Sequence, residues 1–454
     1  MVLKKSDLTH EQVATIDRLY GHNETLLIAG VGFGKACIAL TAIQELIEDK
    51  HLKRVLLLAP KQVCALTYSA EPGKWEHLND DAVQVLNGTP EQRLEQLNGD
   101  ASIVVANFEL VPWLMKQDLS FDGLCIDELS KMKTVGSTTV KKLRHFVKKL
   151  SWRCGMSATP VAECGADIYS QAMLIDNGAA LGTRKTTFLE TYMVSTDFES
   201  RNWVWSPGGL DRAAKRLGNL IYVPDEKAYT AGLPMVVEKT IAVVLPEAAR
   251  TVYALMEGHG IAQLNDHSVV AGSMGVRTGK LNQIAAGGLY SKNEDEEQIL
   301  VAEWAFKQKA LAQYMADVFE PVLIVYQYTF QLTWLRALYP DAPILGGGFK
   351  IKPGTMDAWD RGELPVMLGH PKAFSHGLNL QYGCSHLVLL SPIWSADQHH
   401  QTLGRLLRRG QKAPFVKRTT FIAADTIEED MLSRQDTKTA RADEASAALK
   451  AHSN

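Results

Sequence analysis

Apolar residues in this chain fall mostly in short unbroken runs rather than in polar–apolar alternation. Val-Leu-Leu-Leu-Ala at 55–59 and Leu-Cys-Ile at 124–126 are examples. Runs of this length with no polar face mark strands covered on both sides, and the helical patterns between them supply the cover. The spacing predicts strands at Thr25–Ala29, Arg54–Ala59, Val83–Leu86, Ser102–Ala106, Gly123–Asp127 and Arg153–Ser157. Helix signals lie between them. Thr89-Pro90-Glu91 is a cap, a first-turn proline and an early acid, and Ile38–Ile47 carries a helical apolar pattern.

The pattern changes at about Glu163. From there to Ala312 it is helical or irregular, interrupted by one strand-like stretch, Val236–Leu245, with Leu233-Pro234 as a linker. Strands and helices then alternate again through Val322–Tyr326, Ala342–Leu345, Val366–Gly369, His386–Leu390 and Lys417–Ile422. The fold class that follows is α/β: two lobes with parallel sheets covered by helices, plus mainly helical insertions. The division predicted is 1–232 for the first lobe, 233–434 for the second, and a polar tail at 435–454 that frays.

Composition narrows the function without naming it. The 454 residues are 46% hydrophobic and 22% charged, as in ordinary globular proteins. No apolar run nears the roughly 18 residues of a membrane span, and Met-Val-Leu-Lys-Lys-Ser-Asp lacks the apolar core of a signal peptide. A cytoplasmic, monomeric protein without a membrane role is the default expectation. Cys37, Cys64, Cys125, Cys154, Cys164 and Cys384 are scattered, which speaks against zinc and for core thiols. The net charge of −3 is not a nucleic-acid binder's signature. A protein gripping a phosphate backbone, however, needs only a basic groove.

The candidate chemistry begins at Ala29-Gly30-Val31-Gly32-Phe33-Gly34-Lys35-Ala36, after an apolar strand and before a helix. Gly30, Gly32 and Gly34 let backbone N–H groups converge on phosphates, the helix N-terminus adds its positive end, and Lys35 adds a full charge. Ala36 stands where such loops normally place the Ser or Thr that ligates Mg²⁺, and Cys37 is a poor replacement because a hard cation prefers oxygen. Further on, Leu124-Cys125-Ile126-Asp127-Glu128 is a buried strand ending in paired acids. Asp127 suits Mg²⁺ binding through water, and Glu128 suits activation of the attacking water. Ser157 and Thr159, in Ser157-Ala158-Thr159-Pro160, are small hydroxyl residues at a strand end, suited to coupling ATP state to movement.

With these elements in this order the sequence resembles superfamily 2 helicases, and in detail the Swi/Snf-type ATPases, especially the short versions carried by bacteriophages. The resemblance covers roughly residues 8–432 and implies two RecA-like lobes, ATP and Mg²⁺ as cofactors, and DNA, duplex or branched, as partner. It implies that Gln12 reads adenine and that Pro60, Lys61 and Asn107 contact the nucleic-acid backbone. Lys74-Trp75-Glu76 matches the family's tryptophan–acid signature. A host-cell cytoplasm follows if the chain is of phage origin.

The C-terminal lobe carries Gln401-Thr402-Leu403-Gly404-Arg405-Leu406-Leu407-Arg408-Arg409-Gly410-Gln411. Arg405 and Arg408, three apart, would share one face of a helix and reach γ-phosphate oxygens from the second lobe. Gln401 belongs to the same nucleotide-side motif. Ser375-His376-Gly377-Leu378-Asn379-Leu380-Gln381 matches the motif that links nucleotide and nucleic-acid sites, which assigns Gly377 to ATP and Asn379 to nucleic acid. Val322–Gln327 leading into Thr329 resembles the lobe's opening motif, with Gln327 on the nucleic-acid side; Trp394 reads first as a packing residue. In the basic stretch Lys141–Lys149, Leu143, Phe146 and Val147 are expected to face the core and the lysines water. Trp203, Trp205 and Tyr222 fall in the first insertion. Two functions stay open: an ATPase that moves on or remodels DNA, and, because of Ala36, an ATP-binding module that hydrolyses weakly and acts through DNA or protein contacts. Targeting would fall to a partner protein or to DNA shape.

Overall fold

The computed structural model describes residues 2–453 apart from positions 31, 159–160, 162–164, 200–201, 226–227, 229–231, 265–266, 294, 350 and 376–378. The chain divides into two units. The first comprises residues 1–232 and 438–454, the second residues 233–437.

The first unit is built on a parallel sheet of β1 (Glu24–Ile28), β2 (Val55–Ala59), β3 (Val83–Val85), β4 (Ile103–Asn107), β5 (Gly123–Asp127) and β6 (Trp152–Ser157). After a small antiparallel hairpin, β7 (Met193–Ser195) with β8 (Trp203–Trp205), the sheet gains β9 (Ile221–Tyr222). The order across the sheet is β3-β4-β2-β5-β6-β1-β9. Each strand sends alternate residues to opposite faces. Leu26, Leu56, Leu58, Leu124 and Ile126 enter one apolar cluster, while Leu27, Leu57, Val105, Cys125 and Met156 enter the other. Both faces are covered, which is why these strands read as continuous apolar runs. Helices α1 (His10–Gly21) and α2 (Lys35–Glu48) cover one face.

The second unit holds β10 (Met235–Val243), two antiparallel hairpins, β11 (Ile261–Leu264) with β12 (His267–Val270) and β13 (Gly288–Lys292) with β14 (Gln298–Glu303), and then β15 (Val322–Val325), β16 (Ile344–Leu345), β17 (Val366–Gly369), β18 (His386–Leu389) and β19 (Phe415–Ala423). Its parallel sheet runs β10-β19-β18-β15-β17-β16. Both units are α/β lobes built on a parallel sheet, as the pattern of runs implied.

Four expectations need correction. Val236–Leu245 is not the one interruption between Glu163 and Ala312, since three short hairpins also lie there. Tyr222 does not belong to an insertion: it pairs with Leu27 in the first sheet, in a strand too short to register as an apolar run. The polar stretch after Arg434 does not fray but continues the helix Ile427–His452. Its Ala, Glu, Lys and Arg residues are good helix formers, and Ala445 and Leu449, four apart, are buried in the first unit's core. The C-terminal end is further held by Lys450 on Asp225 at 3.1 Å and His452 on Asp211 at 2.8 Å. Lastly, Trp394 is 46% exposed, so it is not a packing residue. The basic helix Thr138–Phe146 behaves as read: Leu143 and Val147 are buried, Phe146 packs beside them, and Lys141, Lys148 and Lys149 are exposed.

The second unit contains a fully buried ion pair. Lys307 Nζ lies 2.7 Å from both carboxylate oxygens of Glu428, and also donates to the Leu390 carbonyl at 2.8 Å and the Ser391 hydroxyl at 2.9 Å. The Ala423 N–H donates to Glu428 at 2.6 Å. Burial pushes the lysine down and the carboxyl up from their ordinary values, and each partner opposes the other's shift. Removing one partner strands a charge in the core. Lys307→Met is therefore expected to cost the second unit about 3–5 kcal/mol, read from urea unfolding, with Lys307→Met/Glu428→Leu recovering most of the loss. A single variant as stable as the parent would contradict this.

Candidate nucleotide and nucleic-acid sites

The sheet order of the first unit explains why residues far apart in sequence meet. β5, β6 and β1 are neighbours, so Asp127, Ser157 and the loop after Ile28 leave adjacent carboxyl ends, where open parallel sheets place their ligands. Asp127 pairs in register with Met156, and Ile28 with Ser157; the Ala29 N–H donates to the Ser157 carbonyl at 3.0 Å. Ser157 is buried. Thr159 and Pro160 lie outside the described residues.

The glycine loop is shaped by left-handed backbone. Gly32 and Gly34 have φ of +85° and +89°, and Gly34 caps α2. Lys35 Nζ donates to the carbonyls of Ala29 at 2.9 Å and Gly30 at 3.1 Å, which folds its ammonium over the loop. Gln12 ties α1 to the same loop. Its Nε2 donates to the Phe33 carbonyl at 2.9 Å, and its Oε1 accepts the Thr9 N–H at 2.9 Å in a capping box. An amide has two hydrogens and two acceptor lone pairs, so these two bonds use half of its capacity.

Ala36 is half-buried on α2 and offers no oxygen. Cys37 beside it is buried, and burial pushes its thiol up to about 12. It therefore stays a neutral thiol and does not take over the missing hydroxyl's role.

Asp127 is 6% exposed. Burial pushes its carboxyl up from the ordinary value, while Lys35, the Tyr68 hydroxyl and the Glu128 N–H pull it back down. Tyr68 Oη donates to Oδ2 at 3.0 Å, and Glu128 N–H donates to Oδ1 at 3.0 Å. Glu128 itself has φ of +58°, a left-handed conformation uncommon for a residue with a Cβ. Such strain recurs where a side chain must be aimed. Tyr68 was not among the residues singled out from the sequence. A tyrosine in an apolar stretch reads as core, and nothing in the spacing tells which carboxylate its hydroxyl meets.

The nucleic-acid candidates of this unit end the next two strands. Pro60 and Lys61 follow β2, Asn107 ends β4, and β4, β2 and β5 are consecutive in the sheet. Lys61 is exposed; Asn107 Oδ1 accepts the Glu109 N–H at 3.0 Å. In the tryptophan–acid pair, Trp75 is buried and its indole N–H is held by Glu71 at 3.1 Å rather than by Glu76.

In the second unit the arginine motif departs from expectation. The helix Ala396–Leu403 stops at Gly404, so Arg405 and Arg408 stand in the turns beyond it, not on a helical face. Arg405 is buried, and its Nε donates to the Phe374 carbonyl at 2.7 Å. Arg408 Nε donates to the Gly404 carbonyl at 2.6 Å, and its Nη1 donates to Asn379 Oδ1 at 2.7 Å. The arginine expected on the nucleotide side and the asparagine expected on the nucleic-acid side are thus in direct contact. Gln401 is buried in the preceding helix. Gly377, with His376 and Leu378, lies outside the described residues. Gln327 follows β15 and donates to the carbonyls of Ser391, at 3.1 Å, and Pro392. Beside it opens a cleft of about 400 Å³ walled by Tyr290, Tyr328 and Phe330.

Among the described residues no group of three or more His, Cys, Asp or Glu side chains could hold a metal ion, and no helix is long and apolar enough to cross a membrane. Asp127 fits Mg²⁺ in another way. It is a hard oxygen donor beside a phosphate-type loop, and magnesium is commonly held by one or two carboxylates together with substrate phosphates.

Comparison with known proteins gives three likenesses. Residues 9–165 match the family described as DEAD/DEAH box helicase. The p41 protein of Acyrthosiphon pisum secondary endosymbiont phage 1 is 27% identical over 433 residues, covering 91% of this chain and 92% of that one. Among solved structures, the Sulfolobus solfataricus SWI2/SNF2 ATPase core in complex with dsDNA aligns with 98% of this chain and 94% of its own, at 17% identity and a TM-score of 0.45.

The loop geometry is open to a direct check. A Cβ on Gly34 would lie 2.6 Å from Gln12 Nε2, at a φ that L side chains avoid. Gly34→Ala is expected to cost about 1–2 kcal/mol and to weaken binding of a fluorescent ATP analogue. Gly30→Ala, whose Cβ meets nothing within 4 Å, should leave the melting temperature unchanged. Equal melting behaviour of the two variants would refute the assignment.

Proposed function

We propose that this chain, whose residues 9–165 match the DEAD/DEAH box helicases, is a nucleic-acid-dependent ATPase of Swi/Snf type that moves on or remodels double-stranded or branched DNA. The observation that carries the reading is the order of the strand ends in the first sheet. The phosphate-type loop, Asp127 with Glu128, and then Pro60, Lys61 and Asn107 follow one another along a single edge.

The roles follow from the chemistry of each group. The backbone N–H groups of the glycine loop and the Lys35 ammonium hold the β- and γ-phosphates. Asp127 holds Mg²⁺ through water; the ion, when bound, neutralises phosphate charge. Glu128 orients the attacking water and accepts its proton. Gln12 reads the adenine edge with its remaining donor and acceptor. Gly377, Gln401, Arg405 and Arg408 serve the nucleotide from the second lobe, the arginines by stabilising charge that develops on the transferred phosphoryl group. Ser157 and Thr159 couple that state to movement. Pro60, Lys61, Asn107, Gln327 and Asn379 contact the nucleic-acid backbone.

A second reading is favoured by Ala36 and the buried Cys37 thiol, which leave the loop without a metal-ligating oxygen. In that case the chain binds ATP, hydrolyses it weakly and acts through DNA or protein contacts. A duplex-stimulated ATPase assay separates the two. The first expects Mg²⁺-dependent turnover in the parent chain, lowered roughly 10²–10⁴-fold by Glu128→Gln and roughly 10³-fold by Arg405→Ala. A silent parent chain that gains turnover as Ala36→Thr would establish the second.

A further inference from the structure

We infer that Tyr68 is a positioning residue that ties nucleic-acid occupancy at Lys61 to the geometry of Asp127; the inference rests on the motor reading above. The segment leaving β2 is one continuous wound element. Pro60 caps it, Lys61–Val63 forms an α-turn, and Cys64–Tyr68 is a π-turn. The Cys64 N–H donates to the Pro60 carbonyl at 3.0 Å and the Ser69 N–H to the Cys64 carbonyl at 3.2 Å, so the backbone is bonded from head to foot. Its head, Lys61, is exposed; its foot, Tyr68, is fully buried.

The π-turn decides where Tyr68 points. Each residue advances a helix by about 100°, so the one extra residue in the turn changes which side chain faces the sheet. Single π-turns are rare and recur at functional sites. Here the side chain brought inward is the one whose hydroxyl meets Asp127 Oδ2 at 3.0 Å. The other oxygen, Oδ1, takes the Glu128 N–H. The two oxygens of the metal-side carboxylate are therefore oriented from two directions. One contact comes from the backbone of the water-activating acid, the other from the element headed by a nucleic-acid contact.

The remainder of the Tyr68 surroundings is apolar, with Cys64, Val63 and Cys125 in the same cluster. A phenylalanine would satisfy that packing. Among the described residues the hydroxyl adds the bond to Asp127, and the neighbours of a metal ligand typically change metal affinity about 10–100-fold when removed. A backbone contact at Lys61 that shifts the element by a fraction of an ångström would move Oη with it, and with it the carboxylate.

The test uses the full chain, with a fluorescent ATP analogue titrated against Mg²⁺ in the presence and absence of a blunt DNA duplex. In the parent, duplex is expected to lower the Mg²⁺ concentration for half-saturation of nucleotide binding. Tyr68→Phe should still fold, at a somewhat lower melting temperature, and should keep the Mg²⁺-free nucleotide affinity. It should raise the Mg²⁺ half-saturation point about tenfold, erase the effect of duplex on it, and reduce the ratio of duplex-stimulated to basal turnover. A variant with an intact Mg²⁺ response and ratio would overturn the inference, whether or not its melting temperature falls. Should the variant not fold, the parent decides: a Mg²⁺ half-saturation point indifferent to duplex overturns it. Absence of any duplex stimulation in the parent would instead sink the motor reading itself.

Discussion

Asp127 is a carboxylate taken almost entirely out of water at the end of a strand, and its surroundings are arranged around that fact. A buried charge is tolerated only when neighbouring groups replace its hydration. Three do so here: the Lys35 ammonium, the Tyr68 hydroxyl and the Glu128 N–H. Each of these groups is held by an unusual piece of backbone. Lys35 follows left-handed Gly34, Tyr68 ends a π-turn, and Glu128 is itself left-handed. These three conformations thus converge on one carboxylate.

The second unit solves a related problem with a complete ion pair. Lys307 joins its own helix to the end of β18 and to the start of the helix Ile427–His452, through Leu390, Ser391 and Glu428. Gln327 donates to Ser391 and to Pro392. The buried pair and a nucleic-acid candidate therefore share one loop, and the rigidity of that loop sets where Gln327 stands. The contact of Arg408 with Asn379 similarly makes a single polar unit out of residues assigned to different ligands.

The sequence was informative where burial is two-sided. Val55–Ala59 and Gly123–Asp127 are covered on both faces, so every position is apolar until Asp127. Order and spacing then brought the loop, Asp127, Glu128 and Ser157 together, because parallel topology sends all their strands to one edge. Ile221–Tyr222 was missed because two residues carry no periodicity, and the hairpins because strands of three to six residues carry little more. The arginine motif was placed on a helix because spacing cannot show that Gly404 ends it. Lys307, Glu428 and Tyr68 were illegible for a common reason. Each acquires its meaning from a partner at least 59 residues away, and pattern reading sees only neighbours.

The C-terminal helix has a consequence for how the protein is made. Residues 438–454 belong with the first unit, and Ala445 and Leu449 complete an apolar cluster that includes Ala213, Leu217 and Leu220. During synthesis the whole of residues 233–437 emerges between that cluster and its missing strip. At roughly 5–20 residues per second, the nascent first unit waits on the order of 10–40 s with this surface uncovered. The first lobe to leave the ribosome is therefore the last to be finished.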